Sequence, residues 1–150
     1  MPRSKPQTAH LMASPDDLEA QFYEALREGD LDKVMAVWSD DDDIVCVHPG
    51  SPRIVGPRAV RAAFEAMFNT GRIHAQPEHV RRVLLIDAAM HSLVERIDVV
   101  TAEGPRTAYV VTTNVYHKTA QGWRMVAHHA SPGTSGSELP EVSETPSMLH

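Results

Sequence analysis

A single cysteine, Cys46, stands among the 150 residues of the sequence. No internal disulfide can form, which excludes a disulfide-stapled secreted scaffold and a cysteine-built zinc site. Aromatic residues are scarce at 5%, so the few present carry weight as core or site candidates. Basic residues are outnumbered, 14 Lys and Arg against 20 Asp and Glu, for a net charge of −6. They are scattered rather than gathered into a stripe that could neutralise phosphates, so no nucleic-acid partner is expected. No run approaches the ~20 apolar residues of a membrane span. The opening MPRSKPQTAHLMASP also lacks an apolar stretch of signal-peptide length. No membrane partner is expected, and a cytoplasmic location is. The spacings HxH, HExxH, CxxC and GxSxG are all missing, so no metal, no other cofactor and no serine-hydrolase elbow is expected.

What is present suits one domain with one core. Residues 1–13 are polar, with Pro2 and Pro6, and are expected to form a flexible arm. The domain proper is expected over 14–132. Ser14-Pro15-Asp16-Asp17 is a helix start: Ser14 can cap, Pro15 suits the first helical position, and the aspartates favour the positive end of the dipole. Leu18, Phe22, Ala25 and Leu26 recur at helical spacing, and Gly29 ends the helix. Asp30 can cap a second helix through Leu31, Val34, Met35 and Trp38. The acidic run Asp40–Asp43 lacks the interleaved order of a calcium loop and reads as a solvated turn. Ile44–His48 reads as a short buried strand that contains Cys46 as a small hydrophobe. Gly56-Pro57 opens a third helix, with Ala59, Val60, Ala63, Phe64, Met67 and Phe68 as its apolar stripe and Gly71 at its end.

Beyond it the pattern changes to strands near 78–87, 90–101, 106–118 and 122–131. Turns are expected at Ala88-Ala89, Glu103-Gly104-Pro105 and Ala120-Gln121-Gly122. Helices followed by sequential strands with short connections predict an α+β fold, three N-terminal helices and then an antiparallel sheet. Residues 133–150 are rich in Gly, Ser, Pro and Glu, and a flexible tail is expected there.

Strand alternation sorts the side chains by face. Ala108, Val110, Thr112, Asn114 and Tyr116 share one face; Tyr109, Val111, Thr113 and Val115 share the other. On the last strand, Val126, His128 and Ala130 alternate with Trp123, Met125, Ala127 and His129. Both faces are substantially apolar, which predicts a homodimer through the outer sheet face. Glu95 alternates with Leu93, Ile97 and Val99. It is therefore either a carboxyl with a raised pKa, fit for acid or base work, or one member of an ion pair with Arg81, Arg82 or Arg96. Neutral His48 and His128 can exchange protons near pH 7. An apolar residue in place of Asn114 is expected to leave stability unchanged or raise it.

The ending Gly122-Trp123-Arg124-Met125-Val126-Ala127-His128-His129-Ala130-Ser131-Pro132 resembles the terminal strand of SnoaL-like proteins. These belong with nuclear transport factor 2, ketosteroid isomerase and scytalone dehydratase. Ala25-Leu26-Arg27-Glu28-Gly29-Asp30, Trp38 with its acidic turn, and Gly56-Pro57-Arg58-Ala59-Val60-Arg61 are similar to the family's three helix signals. The resemblance spans about residues 15–132. Its nearest pattern is the association domain of calcium/calmodulin-dependent kinases and its bacterial relatives. There an arginine precedes a Val-aromatic-His step and another precedes the final Ser-Gly. Here Asn114 precedes Val115-Tyr116-His117 and Ala130 precedes Ser131-Pro132, which implies that the arginine clamp for an anion is gone.

The resemblance implies an α+β cone-shaped barrel of three N-terminal helices packed on a curved antiparallel sheet, and a pocket protein for a small molecule. A lyase or isomerase moving a proton on a small, largely apolar substrate is expected, with His48 and Glu95 catalytic. Trp38, Phe64, Phe68, Asn114 and His128 are expected to bind the ligand, with Asn114 holding a developing oxyanion. The alternative is a non-catalytic ligand-binding or dimerisation module, since one fold hosts many functions.

Overall fold

The first helix forms where its capping residues place it. In the computed structural model, which describes residues 14–133, 141, 143 and 144, α1 spans Pro15–Glu28. Ser14 caps it, its Oγ accepting from the Asp17 amide at 3.1 Å. Gly29 ends it at φ 67°, a left-handed conformation that a Cβ would strain. Asp30 caps α2 (Leu31–Val37), which stops at Trp38. The third helix, α3 (Pro57–Asn69), buries Val60 and Phe64, while Ala59 of the expected stripe is exposed. The arm expected at 1–13 lies outside the described residues, as does most of the tail expected from 133. Of that tail, Glu141 accepts from Arg81 through both carboxylate oxygens, at 2.7 and 2.8 Å.

Six strands form one sheet: β1 (Val45–Val47), β2 (Ile54–Val55), β3 (Ala75–Leu84), β4 (Ala88–Thr101), β5 (Gly104–Thr119) and β6 (Gly122–Ser131), in the order β2-β1-β6-β5-β4-β3. The α+β class and the three N-terminal helices are as expected. The sheet is mixed rather than wholly antiparallel, because β1 runs parallel to β6. The two-residue β2 was not foreseen; at that length it has no readable periodicity. The turn expected at Ala88-Ala89 falls instead at 85–87, and Ala89 pairs with Leu84. Apolar Leu85 and Ile86 look like strand continuation, yet they stand exposed at the hairpin tip.

Two bulges set the side-chain facing. In β3, His79 and Val80 together oppose a single step of β4, and His79 takes φ 53°. In β6 the register jumps from Met125 opposite Tyr116 to Ala127 opposite Val115, so Val126 is the extra residue. Strict alternation puts Trp123 and Met125 on the face opposite His128 and Ala130. The bulge overturns that reading, and all four are buried on the inner face.

Candidate functional site

The inner face carries a buried polar chain between α1 and the sheet. The Tyr23 hydroxyl donates to Glu95 Oε2 at 2.7 Å. Asn114 Nδ2 donates to the Tyr23 oxygen at 3.1 Å, and Asn114 Oδ1 meets His128 Nδ1 at 2.6 Å. Glu95 comes from β4, Asn114 from β5, His128 from β6 and Tyr23 from the middle of α1. All four are buried. Alternation places Glu95, Asn114 and His128 inward, while helical phase places Tyr23 above them.

Burial defines the electrostatics. It raises the pKa of the Glu95 carboxyl, opposed by the Tyr23 hydrogen bond. It holds the Tyr23 phenol well above its usual range, with the Glu95 charge adding to the effect. Burial first, then His48 and His129, pulls the His128 imidazole down to about 3, so the ring is neutral at neutral pH. The half-buried His48 is lowered by burial. The Cys46 thiol is pushed up to about 12 by burial and then by Glu95, so it stays protonated. Its sulfur lies 3.5 Å from His48 Nε2.

Aromatic rings surround the histidine end. The His128 ring centroid is 5.2 Å from Phe22 and 5.9 Å from His48. His48 stands edge-on to Phe64 at 5.2 Å, and Phe68 continues the row 6.2 Å beyond Phe64. The structure therefore gathers His48, Phe64, Phe68 and His128 at one end, joined through Asn114 and Tyr23 to Glu95. Trp38 is not in this ring group. It bridges to Met125 in the core, and its indole N–H has no hydrogen-bond partner among the described residues.

None of the three arginines considered for Glu95 pairs with it. Arg81 reaches Glu141, Arg82 reaches Asp16 at 2.8 Å and Arg96 lies 3.5 Å from Asp98. The partner is instead Tyr23, which the sequence reading passed over. A second buried pair was missed as well: His91 Nδ1 lies 2.6 Å from Glu19 Oε1, with Asp16 3.8 Å from its Nε2 and the Tyr116 ring 5.0 Å away. Two signals were available. Asp16, Glu19 and Tyr23 share one helical face, and His91 lies two and four residues before Leu93 and Glu95 on the same strand face.

A shallow cleft of about 350 Å³ opens elsewhere, beside Asp41, Asp43, Val115, His117 and Val126. No member of the polar chain lines it. The acidic run is an exposed turn held by its own amides, as with the Asp43 N–H on Asp41 Oδ1 at 2.7 Å. Among the described residues no group of His, Cys, Asp and Glu side chains is arranged to hold a metal. No described helix is long and apolar enough to cross a membrane. On the outer face, Val83, Met90 and Val111 are exposed.

Helices laid over a curved sheet, with polar groups buried between them, define the nuclear transport factor 2-like class. The sequence matches the SnoaL-like domain over residues 16–135, and the chain belongs to that family. It is 37% identical to a proposed calcium/calmodulin-dependent protein kinase type II association domain from Thiobacillus denitrificans. That match has a TM-score of 0.73 and covers 81% of this chain and 96% of the other. A proposed dehydratase of the NTF2-like family from Streptomyces avermitilis is 26% identical, with a TM-score of 0.69 over 78% of this chain and 92% of its own. The CaMKII hub of S. rosetta, at 21% identity, shares the fold, with a TM-score of 0.65 over 81% and 98%. No curated protein matches the sequence.

Proposed function

We propose that the protein binds a small, largely apolar molecule at the His48–His128 end of the polar chain and moves a proton on it, as a lyase or isomerase would. The observation that carries this reading is the unbroken chain Glu95–Tyr23–Asn114–His128, which ends at a neutral imidazole among phenyl rings. Polar groups buried in an apolar interior are costly unless paired, and here four are paired in series. His48, half-buried, is the group we assign to touch the substrate and exchange the proton. Glu95 anchors the far end of the chain by accepting from the Tyr23 hydroxyl. Phe64 and Phe68 would wall the ligand, while Trp38 pairs with Met125 of β6. A thermal-shift series of small phenols and terpenoids against wild type and His48→Ala tests the reading. Stabilisation of wild type alone is the expected result. No stabilisation of wild type by any compound would favour the second reading.

That second reading is a non-catalytic association module. It is favoured by the 37% identity to a proposed association domain and by the apolar outer face around Met90 and Val111. Pairing of two copies through that face is compatible with either function, and we take the protein to be a homodimer in the cytoplasm.

A further inference from the structure

We propose that Tyr23 and Asn114 are positioning residues that hold His128 in a single tautomer, proton on Nδ1 and lone pair on Nε2, so that the site takes a neutral ligand bearing an O–H or N–H donor. The ligand class rests on the small-molecule reading above; the tautomer does not.

Hydrogen-bond polarity dictates the tautomer. The Tyr23 hydroxyl donates to Glu95 Oε2 at 2.7 Å, which commits its one proton there. Toward Asn114 it can then only accept, which turns Nδ2 of the amide to Tyr23 at 3.1 Å. Oδ1 is left 2.6 Å from His128 Nδ1, and a carbonyl oxygen only accepts. Nδ1 must carry the proton, and in a neutral ring Nε2 is then bare. Every proton in the chain points toward Glu95. A free imidazole in water prefers its proton on Nε2, so the chain imposes the less favoured form. The ligand class follows from the neighbours. Phe22 and Phe64 flank the His48–His128 pair, and among the described residues no Lys or Arg side chain is hydrogen-bonded to either ring. An anion would find no counter-charge there, whereas a hydroxyl on an apolar ring finds an acceptor and a wall.

The experiment is histidine-selective ¹⁵N NMR of the intact protein at neutral pH, on wild type, Glu95→Leu, Glu95→Gln and Tyr23→Phe. Wild type should show a pyrrole-type Nδ1 and a pyridine-type Nε2 at His128. Glu95→Leu removes the acceptor, so the Tyr23 proton turns to Asn114, the amide rotates and the ring proton moves to Nε2. Glu95→Gln keeps an acceptor oxygen and should retain the wild-type pattern. Should Glu95→Leu fail to fold, Tyr23→Phe serves in its place, and His128 should then populate both tautomers. A pyridine-type Nδ1 in wild type, or the same pattern in all variants, would overturn the assignment.

Titration with phenol and with anisole, which cannot donate, tests the ligand class on the same resonances. Phenol should shift Nε2 and bind roughly three- to tenfold more tightly, the yield of one neutral hydrogen bond. Equal binding would overturn the ligand class. Binding of neither compound, with the tautomer as stated, would overturn the ligand class and the small-molecule reading together and leave the tautomer standing.

Discussion

Asn114 lies directly across the β5–β6 ladder from His128, and their side chains meet at 2.6 Å. The same residue faces His91 across the β4–β5 ladder, His91 faces Arg82 of β3, and His128 faces Cys46 of β1. One row of the inner face thus runs through Cys46, His128, Asn114, His91 and Arg82 over five strands. α1 crosses this row with matching side chains. Phe22 meets His128, Tyr23 meets Asn114, Glu19 meets His91 and Asp16 meets Arg82. Asn114, His91 and Arg82 of this row thus have polar partners on the helix, while His128 takes its own from Asn114.

Asn114→Leu should therefore destabilise the fold. The sequence alone suggested an apolar residue would be harmless there, as though the amide faced only a ligand. The amide instead satisfies the buried Nδ1–H of His128. Orphaning that donor should cost about 1–3 kcal/mol. Urea denaturation would check this, and an unchanged midpoint would show that His128 finds another partner.

Stability should depend on pH through His128. Its folded pKa is about 3, against about 6.5 unfolded, so the unfolded chain binds the extra proton. The contribution of a neutral His128 is full above about pH 6.5 and falls as pH drops toward 3. The half-buried His48 acts in the same direction. Glu95, raised by burial, acts oppositely, its contribution being lost as pH rises through its folded value. Comparing wild type with His128→Leu isolates the first effect. The stability difference between them should change by about 3 kcal/mol in favour of the variant between pH 7 and pH 4. A difference that is constant with pH would contradict the neutral ring.

The helices and the inward facing of Glu95 and Asn114 were legible because they rest on local signals: caps, glycine stops and unbroken period-2 alternation. The partners of Glu95 were not. Tyr23 is 72 residues away in sequence from Glu95, and nothing local distinguishes a tyrosine that reaches a carboxylate from one that only fills the core. The arginines near Glu95 in sequence were the natural guess, yet charged groups find solvent-side partners more cheaply than buried ones. The parallel β1–β6 pairing was likewise invisible, since a three-residue strand carries no sign of direction. Trp38 lies beside the site in sequence, and its backbone bridges to Met125 while its side chain joins the core cluster.

A charge on the outer face should separate the dimer we propose without unfolding the subunit. Val111 is 41% exposed on β5, opposite Val94 on β4, so Val111→Lys adds no clash within one chain. Sedimentation at micromolar concentration should show wild type near twice the monomer mass and Val111→Lys near the monomer, with unchanged far-ultraviolet circular dichroism. A wild type that sediments as a monomer throughout would remove the outer face as an interface.

Deleting Val126 should be tolerated better than deleting Arg124 from the same strand. Val126 is the extra residue that lets Trp123 and Met125 point inward together with His128 and Ala130. Without it Trp123, Met125, His128 and Ala130 stand at strict period-2 spacing, so all four keep the inner face in a regular ladder. The loss is one half-buried side chain, about 1 kcal/mol. Deleting Arg124 instead makes Trp123 and Met125 neighbours in the strand, which then point to opposite faces. Turning Trp123 out forfeits the burial of a large apolar side chain, about 1.5–3 kcal/mol. Thermal and urea denaturation of both variants would test this. A Val126 deletion as damaging as the Arg124 deletion would mean that the bulge is needed for the bend of β6 and not only for the facing of its side chains.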